Sequence, residues 1–317
     1  MGDRVKGLFC CGWLLSLCWA ALPAGAGTYY VTVAGLGGEP DYEQRFAGLA
    51  HDSDRILKAG ADSKTVYTLA GSDATRARLT QTLQEVAKMA TPADDFVLLL
   101  IGHGSFDGVQ YKFNLVGPDI SAEELAALCN RIAAKRQLIV NTTSASGGSI
   151  AALKRPGRAV IAATKSGTEK NATVFARYWL QALQDPTTDV DKNEAISALE
   201  AFQYATTKTA AFYESQKRLA TEHAQFEDTG KNEPVRAAST TSGEGLLLSS
   251  FILVRLGSAQ QALADPAKHE LLLKKEALEQ SIDQLKYQRA ALAPEDYKQQ
   301  LTAALLELAK VQQELDK

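Results

Sequence analysis

The sequence predicts an α/β fold, a three-layer αβα sandwich with a mostly parallel sheet, followed by a C-terminal α-helical hairpin. Three observations predict it. Phe96 to Ile101 is a run of apolar residues without alternation, bounded by Asp94-Asp95 and Gly102, the pattern of a strand buried on both faces of a parallel sheet. Strand-like and amphipathic stretches alternate along the first half of the chain, as in repeated βα units. From Ser258 onward the composition shifts to Leu, Lys, Glu, Gln and Ala, with apolar residues at helical spacing.

In chain order, Tyr29 to Ala34 is rich in β-formers and reads as the first strand, and Tyr42 to Ala59 follows as a helix. Thr65 to Leu69 is a second strand. Ser72 and Asp73 offer N-cap oxygens to a helix from about Ala74 to Met89. The Phe96 to Ile101 strand ends at Gly102-His103-Gly104. Tyr111 to Val116 reads as a short strand or hairpin arm outside the main sheet. Ser121 to Lys135 is a helix, with Ser121 and Glu124 as a capping box. Gln137 to Thr142 and Arg158 to Ala163 are the fourth and fifth strands, and Ala172 to Leu183 is helical. Asn193 to Glu227 reads as polar and mostly helical, 228–245 as a loop, and Leu246 to Leu256 as a last strand. Leu271 to Leu292 and Pro294 to Leu315 form two helices joined at Ala293-Pro294, an antiparallel hairpin or a coiled-coil segment.

The expected division is a signal peptide over 1–26, an α/β domain over 27–257 and the helical segment over 258–317. Arg4 and Lys6 precede an apolar Leu8 to Leu22, and Ala24-Gly25-Ala26 supplies small residues for cleavage, so an exported protein, periplasmic or secreted, is expected. The apolar part is short for a membrane span, and no later stretch reaches that length. Taking Arg4 and Lys6 from 34 basic residues and Asp3 from 37 acidic ones leaves 32 and 36, a net of −4. With no basic cluster, a nucleic-acid partner is excluded from the expectation. Cys10, Cys11 and Cys18 fall in the leader, so Cys129 is left alone and no internal disulfide is expected. No histidine pair stands at metal-ligand spacing, and no metal or cofactor is expected. Gly35-Leu36-Gly37-Gly38 lacks the lysine of a nucleotide loop.

Chemistry is expected where the third and fourth strands end. His103 lies between Gly102 and Gly104, and the fourth strand runs into Ser144-Ala145-Ser146-Gly147. Adjacent parallel strands lie about 4.8 Å apart, so the two turns can face each other at the carboxyl edge, where ligands of open α/β sheets collect. Lys165 and Ser166, after the fifth strand on the same edge, can line a groove.

A buried strand ending in His-Gly, then a helix and a second buried strand ending in Ser-x-Ser-Gly, resembles the caspase-like peptidases and their legumain-type members over roughly residues 28–256. The family has a Cys-x-Ser-Gly turn, so the resemblance puts Ser144 where the nucleophilic cysteine stands, beside His103, with Ser146 and Gly147 matching the rest. Ala145 stands where a legumain-like pocket has an acid. A serine hydroxyl is far less acidic than a thiol and needs a placed base and an orienting group. No acid is well placed: Asp94 and Asp95 begin the strand that His103 ends, and Asp107 reads as a turn residue. The resemblance therefore implies a pseudo-peptidase that binds a peptide or protein, with the 258–317 helices as a possible contact. The alternative is a hydrolase using a Ser144–His103 dyad.

Overall fold

The computed structural model describes residues 27–60, 65–239 and 242–317, and the expected signal segment, 1–26, lies outside them. The first elements are β1 (Thr28–Ala34), α1 (Pro40–Gly60), β2 (Val66–Leu69), α2 (Arg76–Met89) and β3 (Asp95–Ile101). A small antiparallel sheet, β4 (Gly104–Phe106), β5 (Tyr111–Phe113) and β6 (Ile120–Ser121), leads into α3 (Ala122–Cys129). Then come β7 (Arg136–Asn141), α4 (Ile150–Leu153), β8 (Arg158–Ala162) and α5 (Phe175–Ala182). Next are β9 (Ala195–Ser197), α6 (Ala198–Ser215), β10 (Gln225–Glu227), α7 (Leu246–Ser249) and β11 (Ile252–Arg255). Finally, α8 (Gly257–Ala264), α9 (Pro266–Gln288) and α10 (Pro294–Leu315) complete the chain.

The main sheet has the order β10-β8-β7-β3-β1-β2, with every pair parallel except β10 against β8. Successive residues of a strand point to opposite faces, and here both faces are buried. Val97, Leu99 and Ile101 enter one core with Phe46, Trp179 and Phe202. Phe96, Leu98 and Leu100 enter the other with Leu79, Leu83 and Leu125. Thus α1, α5 and α6 cover one side, and α2, α3 and α4 the other. An unbroken apolar run is what a middle layer requires, and the three-layer architecture with a mostly parallel sheet is present. Each fully buried Val, Leu, Ile or Phe contributes about 1.5–3 kcal/mol.

Several boundaries differ from those expected. Thr75, not Ser72 or Asp73, caps α2 by accepting the Arg78 N–H, because Gly71–Asp73 closes a 3-10 turn of its own. The helix begun by the Ser121–Glu124 capping box stops at Cys129 rather than Lys135. The 193–227 stretch is helical only in α6. It ends in β10, an edge strand whose Phe226 is buried against β8. The apolar 246–256 run is not one strand. Asp228 accepts the N–H groups of Gly245, Leu247 and Leu248, which sets a helical turn there. Only Ile252–Arg255 is extended, and it pairs with β9 outside the main sheet.

The C-terminal hairpin is present, with α9 packed along α10. It is also fastened to the body. Arg255 pairs with Glu276 at 2.6 Å, Lys275 donates to the Asn193 carbonyl, and Tyr287 donates to the Glu244 carbonyl. Ile282 and Leu285 of α9 are buried, whereas Leu305 and Leu306 of α10 are exposed. Among the described residues no helix is long and apolar enough to cross a membrane.

Candidate active site

The chain leaves β1 to one side for β2 and returns to the other side for β3, so the connection reverses between β1 and β3. Crevices at such reversals, outside the carboxyl ends of the strands, are where open α/β sheets hold ligands. The ends are tied together by Gly35 N–H donating to the Ile101 carbonyl at 2.8 Å. His103 follows directly. β7 lies against β3, with Leu100 opposite Asn141, and Ser144 follows three residues on. The sequence-derived positions His103 and Ser144 therefore emerge from neighbouring strands on one rim.

Their side chains do different things. The His103 imidazole stands edge-on to two rings, with centroids 4.7 Å from Tyr42 and 5.1 Å from Phe46. Burial is the largest influence on it and holds its pKa below the ordinary imidazole value, opposed by a hydrogen bond to the Gly37 backbone. At neutral pH the ring is therefore uncharged. The Ser144 hydroxyl donates to the Gly104 carbonyl at 3.0 Å and accepts the Gly104 N–H at 3.1 Å. Ser144 is only 2% exposed. Its proton is directed into a peptide group rather than toward an imidazole.

Gly104 permits this arrangement. A Cβ there would lie 2.5 Å from the Ser144 carbonyl oxygen and 2.5 Å from the Tyr111 ring. Gly102, at the end of β3, is buried. Ala145 takes the left-handed conformation at φ 57°, and its N–H donates to the Glu169 carbonyl at 2.7 Å. The Ser146 hydroxyl lies 3.2 Å from that of Thr164, and Gly147 N–H donates to the same Thr164 oxygen at 2.8 Å. Lys165 is exposed and Ser166 half-buried on the loop after β8. The backbone N–H of Lys165 donates to Glu169 at 2.9 Å, and the Ser166 hydroxyl sits 2.7 Å from that of Thr168. The loops after β3, β7 and β8 thus form one rim.

Among the described residues no acid is hydrogen-bonded to His103, although Glu39 and Glu43 lie close enough to act on its charge. Asp94 accepts from Gly27 and Thr91 at the opposite end of the sheet. Asp107 closes its own turn by accepting the Val109 and Gln110 N–H groups. Glu43 accepts the Gly37 N–H at 2.8 Å, which also occupies an amide that a phosphate would need in the 35–38 loop. Cys129 is buried in the core away from the rim, and burial pushes its thiol up to about 11. Ser144→Ala is expected to cost about 1–3 kcal/mol, because the Gly104 amide and carbonyl lose a buried partner. The shift of the urea midpoint reads it.

Two features of the rim were not anticipated. His223 bonds Glu169 through Nδ1 at 2.5 Å and through its backbone N–H. It lies on the segment between α6 and β10 because α6 ends early. His269 likewise bonds a carbonyl, that of Leu263, at 3.1 Å. Behind the Ser144 turn, Tyr111 hydroxyl, Thr143 hydroxyl and Asn141 form a buried network, with Tyr111 2.7 Å from Thr143. A tyrosine on an adjoining hairpin leaves no local signal for that contact. Beside His103 is a cavity of about 310 Å³ under α1, α5 and α6, lined by Phe46, Leu49, Val174 and Phe212 with Arg45 and Arg177. Residues suited to a cation lie away from the rim: the carboxylates of Asp189, Asp191 and Glu200.

No protein-family model matches the chain, and no curated protein matches it. Solved structures do. The chain is similar to the Drosophila initiator caspase Dronc at 13% identity, covering 66% of this chain and 81% of Dronc, with a TM-score of 0.41. It is similar to caspase-1 from Spodoptera frugiperda at 10% identity, covering 64% of this chain and 87% of the other, with a TM-score of 0.44.

Proposed function

We propose that this chain is an exported caspase-like, legumain-type peptidase homologue that has lost peptidase activity and binds a protein segment at the rim. The observation that carries the proposal is the Ser144 hydroxyl, 2% exposed and bonded in both directions to the Gly104 peptide. An alcohol becomes a nucleophile when a base takes its proton. Here the proton points at a carbonyl, and the candidate base, His103, stands edge-on to Tyr42 and Phe46. The order of His-Gly and Ser-x-Ser-Gly on neighbouring strands supports the kinship, and export rests on the leader-like residues 1–26.

The cavity beside His103 supports binding of a side chain with an apolar stem and an acidic end. Its walls are mainly apolar, and neither Arg45 nor Arg177 has an ion pair among the described residues. Both instead lie over tyrosine rings. The C-terminal helices offer a second contact for a partner through the exposed Leu305 and Leu306.

The test is fluorophosphonate labelling and a peptide-cleavage panel, on the wild type and on Ser144→Ala. Neither protein is expected to label or cleave. Labelling of the wild type that disappears in Ser144→Ala would establish the Ser144–His103 hydrolase instead, the reading favoured by the shared rim.

A further inference from the structure

The segment between α5 and α6 carries a pattern unrelated to the rim. From Asp189 it reads Asp-Val-Asp-Lys-Asn-Glu-Ala-Ile-Ser-Ala-Leu-Glu. A twelve-residue calcium loop takes side-chain oxygens at positions one, three, five and twelve and a backbone carbonyl at seven, with a sharp turn at six. Counted from Asp189, those positions are Asp189, Asp191, Asn193, Glu200, Ala195 and Glu194. Position six is ordinarily Gly; here Glu194 adopts the required left-handed backbone at φ 66°. Position eight is Ile196, fully buried in β9 and paired with Val254 of β11. Glu200 lies in the first turn of α6.

Spacing in sequence becomes convergence in space. One carboxylate oxygen from each of Asp189, Asp191 and Glu200 lies within 4.8 Å of the other two. Oxygens on opposite sides of a calcium ion, each about 2.3–2.6 Å from it, are separated by about this distance. A second observation is the charge of Asp189. Asp189 is 5% exposed and faces the other two carboxylates. Its carboxylate has no ion pair among the described residues and accepts only the Asn193 and Glu194 N–H groups, each at 3.2 Å, while the Lys192 ammonium is bonded to its backbone carbonyl at 2.6 Å. Burying a carboxylate without a counter-charge is costly, and a divalent cation at the point of convergence removes that cost.

We propose that Asp189–Glu200 is a calcium-binding loop. Asp189 and Asp191 supply carboxylate oxygens, Asn193 its side-chain carbonyl and Ala195 its backbone carbonyl. Glu200 closes the shell by exchanging the Val190 N–H, which it now accepts at 2.8 Å, for the ion. Binding fastens the C-terminal helices to the body. The Glu194 carboxylate accepts from the Ser258 hydroxyl and the Ala259 N–H, Leu256 N–H donates to the Glu194 carbonyl, and Lys275 holds the Asn193 carbonyl. Ordering the loop therefore orders the start of α8 and the middle of α9.

The test is calorimetric titration of the chelator-treated full chain with CaCl2, with MgCl2 as the control. Melting temperature is measured in parallel with and without calcium. One calcium per chain is expected, with a dissociation constant at or below about 1 mM, the weak end of such loops, and a higher melting temperature. Magnesium should bind at least about tenfold more weakly, since it demands a smaller and more rigid shell. Asp191→Asn, exposed and bonded only to Asn193, should fold as the wild type does and lose at least tenfold in calcium affinity. Glu200→Gln should do the same while keeping an oxygen for its cap. No calcium binding up to about 10 mM, well beyond that range, would overturn the proposal. So would binding unchanged in both variants, or equal affinity for magnesium.

Discussion

Glu222→Gln is expected to leave stability nearly unchanged at pH 4.5 and to raise it by about 3 kcal/mol at pH 8. Glu222 is buried at the start of α5, where it accepts the Val174 N–H at 2.8 Å, the Phe175 N–H at 3.2 Å and the Tyr213 hydroxyl at 3.0 Å. Burial pushes its carboxyl from 4.5 up to about 7, and these hydrogen bonds only partly oppose it. A folded-state pKa above the unfolded one means that the folded protein prefers the protonated acid. The stabilising contribution is fully present below about pH 4.5 and is lost as pH rises through about 7. A shift of that size is worth about 3 kcal/mol at roughly 1.4 kcal/mol per unit. Glutamine mimics the neutral acid and escapes the loss. Urea midpoints of both proteins at the two pH values decide the matter, and an equal gap at both would show that ionisation is not the cause. The effect reaches the rim, because the next residue, His223, holds Glu169, whose carbonyl fixes Ala145.

What the sequence made legible and what it hid have physical causes. Phe96 to Ile101 announced itself because both faces of β3 are buried, so each of its residues is apolar. The Ser121–Glu124 cap was readable because both of its bonds are local. β10 was not readable: Gln225, Phe226 and Glu227 have no strand pattern, and they are extended because β8 offers an edge. The 246–256 run misled because Asp228, at least 17 residues away, supplies the cap that turns Leu246–Ser249 into a helix. At the rim, strand order placed His103 and Ser144 near each other, but side-chain direction depends on distant contacts. Tyr42 and Phe46 hold the imidazole, and Gly104 holds the hydroxyl. The spacing of Asp189, Asp191, Asn193 and Glu200 was present in the sequence but went unread, because Glu194 stands at position six where such loops ordinarily have Gly.

Gly104→Ala is expected to destabilise the protein by at least about 3 kcal/mol, the upper part of the range for overpacking a filled core. The added methyl would stand 2.5 Å from the Ser144 carbonyl oxygen, 2.5 Å from the Tyr111 ring and 2.7 Å from the Thr143 hydroxyl. One of these is backbone, and the other two belong to a buried, hydrogen-bonded network, so none can move freely. Gly48→Ala is the matched control. It lies inside α1 with open space around its missing Cβ, and alanine there should stabilise by about 0.5–1 kcal/mol through helix propensity. Urea unfolding of the pair separates a general glycine effect from a steric one. The comparison also bears on chemistry, because the same close approach lets the Gly104 peptide occupy the Ser144 hydroxyl. If Gly104→Ala kept wild-type stability, the β3 and β7 turns would have room to separate. The hydroxyl would then be free to meet an imidazole, and the case for a silent site would fail with it.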